Sequence, residues 1–472
     1  MIKGKKVLFY ELNEVPRRVL DDFVFSHPRS ALARVVGEGS LYQTVAEDQG
    51  VLSPWITWPT LHRGVSNEKH CISDFGQDLA EVNAEYPSFM DLLSRAGVKV
   101  GVFGSLHTYP LPENVRQYAF FVPDTFANGA ECFPESLSVF QDFNLRMMDA
   151  SGRNVERGIL LGPATRFLAQ APRLGLRLDT AARLAGQLAS ERMNRARVGR
   201  RRTSQMQIAF DLFMHQLSTH RPDIATFFTN HVASSMHRYW PAKFPADYAD
   251  SRLDASWRKT YAGEIDFTMQ EADRQISRLI SFVDRNPEYV LVIVTSMGQA
   301  AVDASIVVHH QLYITDMEQF MRALGVSEGG WAKHRAMLPR YIFRVSERFV
   351  GTFRNAAASI EINGAPLLVN ELGSGIFQIK LGHENLTNEG TIVRLRGEVR
   401  PLAALGLANV AIQDETGSYA YHIPQGIMLV YDPGMRAGRG TYGGEVSTRE
   451  IAPTLLANFG VQRPGYMQRG LS

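Results

Sequence analysis

Hydrophobic and polar positions follow two rhythms along most of the chain. Short, nearly continuous apolar runs occur at KKVLFYEL (5–12), GVKVGVFGS (97–105), DIATFFTN (223–230) and EYVLVIVTS (288–296), with the length and β-branched or aromatic content of strands buried on both faces. SFMDLLSRAG (88–97) and DFTMQEADRQISRLISFVDR (266–285) instead space their apolar residues three and four apart, as amphipathic helices do. Strands alternating with helices predict an α/β core built on a mostly parallel central sheet with helices on both faces.

Two stretches break this rhythm. Residues 125–220 read as helical and Arg-rich, with LGLRLDTAARLAGQL amphipathic, and predict a helical cap inserted into the core. Residues 340–420 alternate as SIEINGAPLLVN and GIFQIKLG between Asn-Gly and Gly-Ser turn signals, which predicts a small antiparallel β appendage. The core then comprises residues 1–124, 221–339 and 421–472. It resumes with GIMLVYDPG and closes on STREIAPTLLANFG, where Ser447 and Glu450 have capping-box spacing. The Gly-rich GMRAGRGTYGG (434–444) reads as a mobile loop and lacks the spacing of a phosphate-cradling loop.

Composition narrows the chemistry. The 472 residues are 45% hydrophobic and 21% charged, as expected of a folded globular chain. Cys71 and Cys132, the only two cysteines, exclude a disulfide framework and a thiolate zinc cluster, so any metal falls to His, Asp, Glu or Asn. The first apolar run meets Glu11 after about five residues, too short for a secretion signal. No stretch approaches the roughly 18 apolar residues of a membrane span. The expected location is cytoplasmic. The net charge is only +2, yet residues 151–202 hold twelve Arg against Glu156, Asp179 and Glu191. That run is either a solvated helical face or a basic surface for phosphate groups and peripheral contact with the inner face of a membrane. Without interleaved aromatic platforms it does not predict nucleic acid as a partner.

Loops at the C-terminal ends of parallel strands converge on one edge, where functional groups collect. Glu11 ends the first run, followed by Asn13 and Glu14. SPWITWPTLHRG (53–64) offers the hydroxyls of Ser53 and Thr57. FFTNHVASSMHRYW (227–240) brings Asn230, His231 and His237 to a strand end, with Tyr239 and Trp240 behind them as either a sugar-binding wall or core. His422 sits in a turn before another buried strand.

Taken in order, KKVLFYEL, GVSNEKHCI (64–72), HIPQGIMLVYDPG (422–434), STREIAPTLLANFGV (447–461) and PGYMQRGL (464–471) resemble the alkaline phosphatase superfamily, in particular its type I phosphodiesterase and nucleotide pyrophosphatase branch. The resemblance spans most of the chain outside the two insertions. It implies an alkaline-phosphatase-like fold and a two-metal centre that positions a Ser or Thr nucleophile for phosphoryl or sulfuryl transfer. The family's first-strand Asp falls on Glu11, its D-x-x-x-H pair on Ala233 and His237, and its last metal-binding His on His422. The Asp-His pair of its SDHG segment falls on Met297 and Gly298, which cannot replace those ligands. Thr57, in TWPT, resembles the Thr-aromatic-Pro nucleophile, and Ser53 is the second candidate.

The resemblance therefore leaves two readings: an atypical site for one divalent cation, zinc by its imidazole ligands, rebuilt from His231, His237 and His422, or a pocket that binds no metal and serves recognition alone. Glu11 and Asn13 would bind metal or substrate, with Asn230, Tyr239 and Trp240 on the substrate side. ELNEVP (11–16) and SPWITWPTLHRG look like members associated with bacterial surface polysaccharide synthesis. The expected activity is thus that of a hydrolase or transferase on a phosphorylated sugar- or lipid-linked substrate. The alternative is a catalytically silent pseudoenzyme that serves as a binding or scaffold protein.

Overall fold

The computed structural model describes residues 4–149, 161–248, 254–302, 309–336, 338–373, 375–411, 418–435 and 440–471. Its central element is an eight-stranded sheet. In chain order its strands are β1 (Lys6–Leu12), β2 (Ser40–Val45), β3 (Val100–Phe103), β4 (Phe120–Val122), β5 (Ile224–Thr229) and β6 (Tyr289–Val294). A short strand outside the sheet, β7 (Gly298–Ala301), pairs with β8 (Ala420–Ile423), and β9 (Gln425–Tyr431) and β10 (Thr441–Ser447) complete the sheet. The order across it is β10-β2-β9-β6-β1-β5-β3-β4. Only β9 runs antiparallel to its neighbours, so the sheet is mostly parallel, as the apolar runs predict. β1 lies between β5 and β6, and the ends of these three strands open on one edge.

Alternate residues of β1 feed two cores, as the two-residue strand period requires. Leu8, Tyr10 and Leu12 join one hydrophobic cluster and Val7 and Phe9 the other. The second face is covered by α1 (Pro54–Arg63), through Trp58 and Leu61, and by helices Phe89–Arg95 and Ile451–Asn458. The capping box of Ser447 and Glu450 is present at the start of the last of these.

The first face carries helices from the segment expected as a cap. Phe140, Phe210 and Phe213 lie in the same cluster as β1, and the Phe213 and Phe227 rings are 4.9 Å apart. Apolar packing thus makes the described helices between Ser138 and His220 one of the sheet's helical layers. Also on this face are α2 (Leu178–Met193), α3 (His231–Lys243) and α4 (Glu264–Arg285). α4 buries Ile276, Leu279 and Val283, one side of its 3.6-residue repeat.

Residues 310–411 hold small antiparallel sheets around a third cluster that includes Leu312, Phe343, Phe353 and Phe377. This appendage therefore begins near His310, two strands and one helix earlier than the turn signals suggest. It is fastened to the core at Asp74, whose Oδ2 accepts from Arg340 Nη1 (2.7 Å) and Gln378 Nε2 (2.6 Å).

The Gly-rich segment differs from its expectation over its second half, where β10 pairs in parallel with β2. Gly443 explains the pairing, because a Cβ there would stand 1.9 Å from the Tyr42 ring. Residues 436–439 of that segment, like Arg153 and Arg157 of the basic run, lie outside the described residues.

Candidate metal centre

Where β1 ends, the chain turns through Asn13 and Glu14 before Pro16. Glu14 adopts φ 61°, a left-handed conformation that residues with side chains seldom take. The turn buries its carboxylate, and two imidazoles converge on it. Glu14 Oε2 lies 3.1 Å from His237 Nε2 and 3.4 Å from His422 Nε2. Ligand atoms of the three residues lie within 4.8 Å of one another.

Each imidazole is oriented from behind. His237, on α3, donates Nδ1–H to the Ala420 carbonyl (2.7 Å), and His422, on β8, donates Nδ1–H to the Leu52 carbonyl (2.8 Å). A carbonyl only accepts, so both rings keep Nδ1 protonated and turn Nε2 toward Glu14. In the neutral rings that places two lone pairs against a carboxylate, an arrangement that repels itself unless protons or a cation lie between the groups. This donor set fits a divalent cation of the zinc class, with backbone partners fixing the ring tautomers. The charges show the same coupling. Burial would raise the Glu14 carboxyl, but His422 and His237 outweigh it and hold it well below the usual carboxylate range. Burial would lower His422, but the Glu14 charge more than offsets this and leaves it raised.

Two amides complete the surroundings of Glu14. Asn13 Nδ2 donates to Glu14 Oε1 and to Asn230 Oδ1, both at 2.7 Å, while Asn13 Oδ1 accepts from Trp58 Nε1 (2.8 Å). Gln299, opposite His422 in the β7–β8 ladder, donates to Glu14 Oε2 and to the Ala233 carbonyl (3.2 Å).

This geometry brings together His237 and His422 and corrects other expectations. His231 is not a ligand: its Nε2 donates to the Thr268 carbonyl (3.1 Å) and its Nδ1 accepts from the Thr229 hydroxyl (2.5 Å). α3 begins at His231, so a residue six positions on lies about 120° away around the helix, on another face. Glu11 is not a ligand either. His62 Nε2 (2.5 Å) and Ser105 Oγ (2.6 Å) donate to its two oxygens in a fully buried pocket. Tyr239 and Trp240 belong to the core; Tyr239 stacks on Tyr261 at 4.9 Å, and Trp240 Nε1 donates to Asp247 (2.8 Å). Asn13 gives one amide hydrogen to Glu14 and the other to Asn230, and so is not free for substrate. Asn230, half-buried at the start of α3, remains beside the site.

The two hydroxyl candidates also separate. Thr57 Oγ1 is paired with Ser296 Oγ at 2.8 Å and fully buried. Ser53 opens α1, its backbone carbonyl accepting from the N–H groups of Ile56 and Thr57, while its enclosed Oγ has no hydrogen-bond partner. The carbonyl before it is the one that anchors His422. Two residues on, the Trp55 carbonyl accepts from His107 Nε2 (2.8 Å). His107 lines a cavity of about 340 Å³ walled by Phe75, Tyr109 and Asp124 of the core and by His334 and Arg344 of the appendage. The start of α1 thus links the three-residue cluster to a cavity shared with the appendage.

Glu14 and Gln299 escape a reading of the sequence alone. The signal at Glu14 is its place just before Pro16, where the chain must turn away from the sheet. Gln299 gives none, because its role depends on the register of β7 against β8. At Gly298, the neighbouring position in β7, a Cβ would fall 2.2 Å from the Gln425 carbonyl oxygen, so backbone packing leaves no room for a side chain there.

No family model matches the chain, and no curated protein does. Among solved structures it is similar to murine ectonucleotide pyrophosphatase/phosphodiesterase 5, an inactive form in complex with AMP, at 10% identity and a TM-score of 0.44, covering 99% of this chain and 97% of that one. The human ectonucleotide pyrophosphatase/phosphodiesterase 5 aligns at 8% identity and a TM-score of 0.43, again over 99% and 97% of the two chains.

Proposed function

We propose that the chain is a phosphoester hydrolase or phosphoryl transferase that works with one divalent cation held by Glu14, His237 and His422. The observation that carries this reading is the convergence of one carboxylate and two backbone-anchored imidazole lone pairs on a single point. When bound, a cation of this kind supplies Lewis-acid stabilisation to a phosphoryl oxygen.

In this reading Ser53 is the attacking group. Its Oγ forms a bond to phosphorus as the bond from phosphorus to the leaving oxygen breaks, and the serine proton departs with the leaving alcohol. Water, or an acceptor hydroxyl in a transferase, then releases the phosphoryl group and restores the serine. The α1 N-terminus, as the positive end of its aligned peptide dipoles, favours the negative charge that gathers beside Ser53. The organic part of the substrate occupies the cavity next to Trp55. Aromatic faces of Phe75 and Tyr109, polar groups of Asp124 and His334, and the Arg344 cation suit a phosphorylated sugar, free or lipid-linked.

The test measures metal content and turnover together. Protein purified without chelator should hold about one equivalent of metal by elemental analysis and hydrolyse a chromogenic phosphodiester or phosphomonoester. The Glu14→Gln and His422→Ala proteins should lose both. Wild-type protein that holds no metal, or that stays inactive on both esters when metal-loaded, would point instead to a non-catalytic binding role.

A further inference from the structure

α2 faces the wrong way for a helix at a protein surface. Such helices normally turn an apolar stripe inward and a polar stripe toward water. Here the polar side is turned in: Thr180 and Glu191 are buried, Glu191 accepts from Arg201 Nε (2.8 Å) and Gln187 (3.0 Å), and Gln187 also donates to the Arg197 carbonyl (2.8 Å). The opposite side leaves Leu178 89%, Met193 82% and Leu188 41% exposed, with exposed alanines between them. At 100° per residue these positions form one continuous apolar face, interrupted by a single charge, Arg192.

The surroundings of that face are basic. Arg173, Arg192 and Arg195 are exposed and form no ion pair with another described residue. On α2, the acidic group at the edge of this face, Asp179, is held by Arg177 Nε at 2.8 Å, and Glu191 points away into the protein. We infer that this face docks on the surface of an anionic lipid bilayer, with α2 lying in the plane of the headgroups. Exposed leucine and methionine side chains enter the acyl boundary while the arginines meet lipid phosphates, which is how in-plane amphipathic helices bind. Charge complementarity selects this occupant. A second copy pressed against the same face would bring two sets of unpaired arginines together. The contact is peripheral, since no helix among the described residues is long and apolar enough to cross a membrane. The inference does not rest on the catalytic reading.

The test is co-sedimentation of the full chain with vesicles of phosphatidylcholine, with and without phosphatidylglycerol. Wild-type protein should pellet with the anionic vesicles, less so as salt is raised, and remain in solution with phosphatidylcholine alone. Leu178→Asp with Met193→Asp should abolish binding, and Arg192→Glu with Arg195→Glu should weaken it by at least about fivefold per arginine. Unchanged melting temperatures would show that these surface variants fold. The inference is overturned if wild-type protein ignores anionic vesicles, if the Leu178/Met193 variant binds as well as wild type, or if the face instead mediates a concentration-dependent dimer that the same variant disrupts.

Discussion

Glu14 holds a left-handed backbone conformation that costs a residue with a side chain on the order of 1 kcal/mol, and it buries a carboxylate. The surrounding structure maintains both, through the amide of Asn13 and the two imidazoles. Asn13→Leu keeps the volume but removes the donor to Glu14, so it should weaken metal affinity about 10- to 100-fold in a chelator competition assay, the usual effect of losing a partner behind a ligand. The two hydroxyls should separate in kinetics. Ser53→Ala should keep its metal and lose on the order of 10³-fold or more in kcat. Thr57→Val strands the Ser296 hydroxyl and should instead lower stability by about 1–2 kcal/mol in denaturant titrations. The sequence shows His237 and His422 through their resemblance to a metal-loop pattern, but not their carboxylate. Residue spacing cannot reveal that Glu14 meets His237 and His422, because the contact closes between the end of β1, α3 and β8 across space.

At the scale of elements, the long apolar runs were legible because a strand buried on both faces leaves no room for polar residues. β2, β4 and β10 were not, being short, at or near an edge, or glycine-bearing. The appendage was legible as alternating strands, but its start was obscured because His310–Ile314 reads as a core strand until its partner, Leu407–Ala411, is seen beside it. Its attachment through Asp74 yields a prediction. Asp74→Ala leaves the Arg340 and Gln378 donors without their acceptor and should cost about 2–4 kcal/mol in stability. Because His334 and Arg344 then lose their fixed place in the cavity wall, KM should rise more than kcat falls, which steady-state kinetics would show.

For the molecule as a whole, three deeply set histidines contribute to the response to acid. Burial lowers His70 to about 3, His107 to about 3 and His231 to about 4. A histidine kept neutral in the fold but free to protonate when unfolded contributes stability that is present above about pH 6.5 and lost as pH falls toward 4. Asp48 and Asp124, which burial raises to about 6, act with the opposite sign over nearly the same range. A single substitution isolates one contribution. In His231→Gln the stability deficit relative to wild type at pH 7.5 should shrink by about 1–2 kcal/mol at pH 5, as measured by urea unfolding at both values.

The site that joins Glu14, His237 and His422 draws on positions near both ends of the chain, and this has a consequence during synthesis. At a translation rate of about 5–20 residues per second, Glu14 leaves the ribosome on the order of 20–80 s before His422 is made. Through that interval its carboxylate has no second imidazole to meet, and β8, which carries His422 and its anchor to Leu52, does not exist. On the single-cation reading, a nascent chain therefore cannot hold the cation lastingly until that closure is made. Metal capture in a cell-free translation reaction becomes a timer for the last long-range closure of the fold.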